Sequence, residues 1–185
     1  MKDKNGLFER IDTPLKDFYE IKPIIRSDNR GSFIKTFHVP AFKELGLETD
    51  FKEEFHTISV KNVIRAMHFQ LPPEDHVKLV YCAEGCVMDV VADLRKSSPT
   101  YGKFHIVNLD SKLGNILYIP KGFAHGYQVL TEHSVVIYKT TTVFSAKHDT
   151  GLMWNSFGIP WTCDDPILSD KDKVLPTFSE FDSPF

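Results

Sequence analysis

The sequence is short of the features that mark the more specialised protein classes. It has only three cysteines in 185 residues, Cys82, Cys86 and Cys163. An odd, small set is too few for a disulfide scaffold or a zinc ribbon and reads as free thiols in a reducing cytoplasm. Cys82 and Cys86, four apart in strand-like surroundings, are expected on one face of a strand. Long apolar runs are also missing. Nothing approaches the ~18–20 continuous apolar residues of a membrane helix, and the N-terminal MKDKNGLFERIDTPLKD lacks the apolar core of a secretory signal. There is no basic run. With 22 Lys and Arg against 25 Asp and Glu, the formal charge of −3 argues against nucleic acid as the main partner and leaves room for a small anionic ligand held by a few placed cations. Repeats and low-complexity tracts are absent, and 42% apolar with 25% charged residues excludes disorder, collagen and coiled coil.

Helix signals are scarce too. Only PAFKELGL reads as a helix, with Pro40 suited to its first turn. What is abundant is strand signal: 15 Phe and 6 Tyr, and short runs such as SFIKTFHV, EEFHTISV, VIRAMHFQ, HVKLVYCA, CVMDVVADL and SVVIYKTTTVF, separated by NRG, KN, EG and PKG turns. A chain of this length can bury a core unaided as one domain over residues 1–185. Many short, closely spaced strands predict an all-β closed sandwich or barrel. The last ~30 residues, rich in Pro and Asp but carrying two Trp, read as an ordered arm because aromatic content opposes disorder.

Polar residues inside strand runs are the candidates for function. In CVMDVVADL, one face is apolar (Met88, Val90, Ala92, Leu94) and the other alternates Val87, Asp89, Val91 and Asp93. Those carboxylates suit either a solvated outer face or the lining of a polar cavity within a barrel. In VIRAMHFQ, strict alternation puts His68 and Gln70 on one face and Arg65 on the other, so a site using both Arg65 and His68 would need a bulge or a strand end between them. Lys78 sits between Val77 and Leu79, where burying an amine is costly without a partner. His125 lies in IPKGFAHG and Tyr138 among the β-branched residues of SVVIYKT. Together these are proton carriers of different intrinsic pKa.

The motifs NRGSF, KNVIRAMHFQ, KLV, the DVVADLRKSSPTYG run, IPKGFAHG, YKTT and LSDKD occur in an order and spacing that resemble the dTDP-4-dehydrorhamnose 3,5-epimerase family of the cupin superfamily. The likeness spans about Ile21 to Pro176. It implies a cupin-type β-jelly-roll with short helices and ordered arms, assembled as a homodimer, that needs neither cofactor nor metal. The implied activity is inversion at C3, or at C3 and C5, of a nucleotide-linked 4-keto-6-deoxyhexose, in making deoxysugars for an O-antigen-like polysaccharide or a glycosylated metabolite. By the same resemblance His68 is the general base, Asp172 the carboxylate that orients it, Lys78 the cation on the developing enolate and Tyr138 the acid on the opposite face. Arg30 and Arg65 match diphosphate-binding arginines. Gln70 and His125 match further positions of the site, the role of His125 being open.

Departures from the family pattern fall around the nucleotide. Lys35 stands where the family has an acid, Glu53-Glu54-Phe55 replace a Q-x-N segment, and Val143-Phe144 replace a tyrosine pair. Lysine can donate to the acceptor edge of cytosine, so a CDP-linked sugar is expected ahead of a dTDP-linked one, with Lys35 as a substrate-binding residue. A metal-binding cupin such as an oxygenase is the alternative, with His68, Gln70, Glu74 and His125 near cupin ligand spacing. For the dimer, the segment from about Phe18 to Arg26 is expected to pair across the interface, because an apolar first strand left unpaired invites aggregation.

Overall fold

The computed structural model describes residues 1–185, and its regular secondary structure is almost wholly antiparallel strand. One sheet has the order β1 (Phe8–Asp12), β2 (Tyr19–Pro23), β10 (Ile116–Ile119), β7 (Lys78–Glu84), β12 (His133–Thr140) and β5 (Glu53–Val60). The facing sheet has the order β13 (Asp149–Gly151), β6 (Ile64–Gln70), β11 (Phe123–Val129), β8 (Cys86–Asp93) and β9 (Phe104–Asp110). A separate ribbon pairs β3 (Ile25–Asp28) with β4 (Gly31–Ile34). The two facing antiparallel sheets are the closed sandwich that the strand pattern predicts and the jelly roll that the family resemblance implies.

Apolar residues fill three layers. Between the sheets, Val80, Leu117 and Val136 meet Val91, Leu109, Phe123 and Tyr127. Outside the first sheet, helix α1 (Val39–Glu44) and the turn after it press Ala41, Phe42, Leu45 and Leu47 onto Phe8, Ile21, Leu79 and Ile116. The C-terminal arm covers the outside of the second sheet, laying Trp154, Phe157, Trp161 and Phe181 over Ile64, Met67, Val90 and Ala124. Strand β8 is therefore buried on both faces, which explains its near-continuous apolar character. Asp89 and Asp93 are wholly enclosed, so the solvated-face reading of that strand does not hold. Asp93 is satisfied by Arg95, Ser98 and Thr100, a structural clamp at the strand's end.

Three local expectations change. Cys82 and Cys86 do not share a strand: Gly85, at φ +81°, turns the chain between β7 and β8. Their thiols are unpaired, and burial pushes that of Cys82 up to about 12. GLFERID, not foreseen as a strand, forms β1 and pairs with β2. The Phe18–Arg26 segment is consequently held within its own chain over β2, between β1 and β10, and only its end enters the exposed ribbon. The open edge of the first sheet is β5, where Ile58 is 65% and Val60 56% exposed.

Candidate active site

Strand parity aims one set of polar side chains into the space between the sheets. On β11, Phe123, His125, Tyr127 and Val129 point inward; on β12, Val136 and Tyr138; on β7, Lys78, Val80 and Cys82. At one end of the barrel the apolar filling gives way to a cavity of about 260 Å³ lined by Arg65, His68, Gln70, Lys78, His125, Tyr138 and Asp172. Seven of the nine residues expected at the site are thus brought together.

Arg65 and His68 reach the same cavity because β6 bulges. Arg65 pairs with Tyr127 and His68 with His125, so Ala66 and Met67 oppose the single residue Gly126. A side chain at 126 would have no room: a Cβ there would lie 2.5 Å from the Ala66 Cβ and 2.7 Å from the Arg65 carbonyl oxygen. Of the bulge and the strand end that alternation allowed, the bulge is the one present, and a glycine makes room for it.

His68 is bonded through Nε2 to Asp172 Oδ1 at 2.6 Å. Asp172, buried at the start of a short 3₁₀ turn (Asp172–Val174), comes from the C-terminal arm, 104 residues along the chain. The carboxylate fixes the tautomer with hydrogen on Nε2 and leaves Nδ1 as the basic nitrogen. Lys78, buried at the cavity wall, donates from Nζ to the His68 carbonyl at 3.0 Å. Burial pushes its ammonium down to about 8, against the pull of Asp149 and Asp89. His125 Nε2 meets Asp89 Oδ2 at 2.8 Å, both groups buried. Burial drives His125 down and Asp89 up, towards their uncharged forms and against their mutual attraction. Burial also raises the Tyr138 phenol well above 10, so it stays protonated and able to donate. Its ring is stacked on Phe55 (centroids 4.8 Å apart, planes at 10°) and met edge-on by His125.

Gln70 lines the cavity, but its amide is engaged on both sides: Nε2 donates to the Glu74 carbonyl in the loop after its own strand, and Oε1 accepts from the Ser145 backbone beyond β12. Arg30 and Lys35 lie elsewhere. Arg30 is exposed on the ribbon and paired with Asp28 at 2.6 Å, and Lys35 borders a shallow groove with Leu7, Ile24, Arg26 and Phe33. The metal-cupin alternative finds no ligand set, since no three His, Cys, Asp or Glu side chains come together in a suitable group.

Asp89 does not line the cavity itself but is buried behind His125, which does, and so takes the inward of its two readings. Other residues of the site were not singled out from the sequence. His76, pushed down to about 3 by burial and by the nearby lysines, is held neutral with Nδ1 against Thr142. Thr57 and Ser59 face inward from β5, and Arg65 donates from Nε to Ser59 Oγ at 3.0 Å. Their parity in EEFHTISV was the available signal.

Fold and cavity together define a jelly-roll enzyme of the cupin class, with its ionisable groups gathered at one end of the barrel. The sequence model for dTDP-4-dehydrorhamnose 3,5-epimerase matches residues 12–180. The enzyme of that name from Shigella flexneri is 41% identical over 165 residues, covering 88% of this chain and 91% of its own. The crystal structure of the Bacillus anthracis enzyme with TDP and PPi bound matches with a TM-score of 0.89 at 36% identity, covering 92% of this chain and 99% of its own. A 4-keto-6-deoxy sugar epimerase from the novobiocin biosynthetic gene cluster of Streptomyces spheroides matches with a TM-score of 0.90 at 29% identity, covering 94% and 88%. The chain belongs to the dTDP-4-dehydrorhamnose 3,5-epimerase family. It is a nucleotide-sugar epimerase, an isomerase of deoxysugar biosynthesis.

Proposed function

We propose that this chain inverts one or both carbons flanking the ketone of a dTDP-linked 4-keto-6-deoxyhexose, with His68 as base and Tyr138 as acid. The observation that carries the reading is the placement of these two groups. His68 projects from the second sheet and Tyr138 from the first, so they address a sugar ring lying between them from opposite faces. His68 Nδ1 takes the proton from the carbon beside the ketone, and the imidazolium formed is stabilised by Asp172. The electron pair moves onto the ketone oxygen, where the Lys78 ammonium compensates the new charge. Tyr138 then delivers its hydrogen to the other face. The substrate's own ketone is the electron sink, so activity is expected to survive dialysis against a chelator.

At about 260 Å³ the cavity holds the hexose end only, below the ~300–1,000 Å³ usual for larger ligands. The diphosphate and base then run out past Arg65 over the rim. A homodimer would complete that rim. The exposed ribbon carrying Arg30 and the open, apolar edge of β5 are suited to pair between two copies, bringing Arg30 and Lys35 to the partner's cavity. The preference for CDP has no support among the relatives, and the nucleotide in the Bacillus anthracis relative is TDP. The three unpaired thiols suit a cytoplasmic setting.

The test is solvent-deuterium incorporation into the 4-keto-6-deoxyglucose derivatives of dTDP, CDP and GDP. His68→Ala is expected to abolish both incorporation and inversion, and Tyr138→Phe to impair inversion more than incorporation. Wild-type incorporation by His68→Ala would refute the assignment, and faster turnover of the CDP sugar would restore the cytidine reading.

A further inference from the structure

The ring of Tyr138 is walled on three sides. Within its own sheet it lies between Val80 of β7 and Phe55 of β5, its two directly opposed cross-strand partners. From the facing sheet His125 meets it edge-on, with centroids 5.9 Å apart. Val80 and His125 are buried and fixed by the layers around them. Phe55 is different. It belongs to the open edge strand, is 44% exposed, and stands where the family pattern has asparagine.

An asparagine at this position has an amide to bond with and no face to stack on. Phenylalanine has the face alone, and that face lies almost parallel to the phenol ring, with planes 10° and centroids 4.8 Å apart. The strand holds it there. Before it, Glu53 Oε2 accepts from the Phe144 backbone at 2.7 Å. After it, Thr57 Oγ1 lies 2.8 Å from the Tyr127 hydroxyl, and Ser59 Oγ accepts from Arg65 Nε at 3.0 Å. The inward row of β5 is therefore tied to the rest of the protein on both sides of Phe55, and Phe55 presents a fixed wall to Tyr138.

We infer that Phe55 is the positioning residue of the acid: its ring closes the side of Tyr138 that faces the open edge of the sheet and keeps the phenol aimed at the sugar face opposite His68. A tyrosine swings about χ1 and χ2. Val80 blocks that swing towards the middle of the sheet, and towards the edge only Phe55 stands in the way. Phe55 takes no part in the proton transfer itself. The Tyr138 proton passes to the enolate carbon, and the O–H electron pair stays on the phenolate oxygen, which regains a proton from water when the product leaves. What Phe55 changes is how often the phenol is in place when the enolate forms. An enolate that does not meet Tyr138 takes a proton back from His68 on its original face, and in D₂O this appears as incorporation without inversion.

This rests on Tyr138 being the acid, and the experiment separates the two claims. Inversion and deuterium incorporation with retained configuration are followed together in D₂O for Phe55→Leu, Phe55→Asn, Phe55→Tyr and Tyr138→Phe. Leucine keeps apolar bulk without the stack, so the ratio of inversion to incorporation should fall about two- to tenfold, the worth of one stacked aromatic pair. Phe55→Asn should lower it at least as far, and Phe55→Tyr, which restores the stacking face, should keep it within about twofold of wild type. A structural role alone would lower inversion and incorporation in equal proportion, which would overturn the proposal. A raised KM with an unchanged ratio would overturn it too, by making Phe55 a substrate contact. Should Phe55→Asn fail to fold, Phe55→Leu carries the same comparison. If Tyr138→Phe loses inversion while Phe55→Leu keeps the wild-type ratio, the role of Phe55 alone is refuted. If Tyr138→Phe inverts normally, the acid assignment falls and the role of Phe55 with it.

Discussion

Replacing Lys78 by methionine should stabilise the fold near neutral pH while removing activity, and the size of the effect follows from its burial. An exposed lysine titrates near 10.5; buried at the cavity wall, this one is pushed down to about 8. Below pH 8 the ammonium is charged in both folded and unfolded chains, and the folded state bears the full cost of desolvating it. Between about 8 and 10.5 the unfolded chain binds the extra proton, so wild-type stability rises with pH relative to a variant lacking the group. At ~1.4 kcal/mol for each pH unit, the interval corresponds to ~3 kcal/mol. Methionine also forfeits the bond to the His68 carbonyl, a loss of ~1 kcal/mol that does not depend on pH. The net expectation is a variant more stable by ~2 kcal/mol at pH 7 and less stable by ~1 kcal/mol at pH 10.5. Urea melts of the two proteins at pH 7, 8, 9 and 10.5 measure the difference directly. A variant less stable at every pH, with a constant offset, would show that Lys78 is not a desolvated ammonium, and its proposed role at the enolate would lose its basis. The same titration predicts that wild-type kcat/KM falls above about pH 8, as the cation opposite the ketone oxygen is lost.

Further outcomes are expected from the neighbouring residues. Asp172→Asn keeps a side chain near His68 Nε2 but removes the charge that stabilises the imidazolium, so kcat should drop ~10²–10⁴-fold with little change in KM; stopped assays of turnover check it. Gly126→Ala should destabilise the fold by ~1–3 kcal/mol, because the new methyl overlaps Ala66 opposite the bulge, and activity should fall as Arg65 and His68 lose their common orientation. Ile58→Lys on the open edge of β5 should give a monomer by light scattering and weaken nucleotide-sugar binding, if the partner's ribbon completes the rim. Unchanged mass and KM for that variant would remove the dimer from the account.

Much of the architecture was legible in the residues. Period-two alternation in CVMDVVADL, FAHGYQV and SVVIYKT specifies which side chains share a face, and the scarcity of helix signal leaves few architectures open to them. The family motifs marked His68, Lys78, Tyr138 and Asp172 one by one. Alternation does not say what a face will meet. Whether Asp89 looked into water or into the barrel depended on the first sheet closing over that face of β8 and on His125 meeting it from β11, a matter of contacts between segments distant in sequence. Arg65 and His68 belonged to opposite faces until one extra residue in β6, accommodated by Gly126 on the neighbouring strand, turned both inward. Asp172 reached His68 only because the arm folds back across 104 residues. The Tyr127 hydroxyl found its partners only when β5 was paired with β12 and the inward residues Thr57 and Ser59 met it from the other sheet. Local pattern therefore determined the strands and the chemistry carried on each. The pairing of one sheet against the other decided which of those groups form a site, because hydrogen bonds and burial act on distance in space and not on distance along the chain.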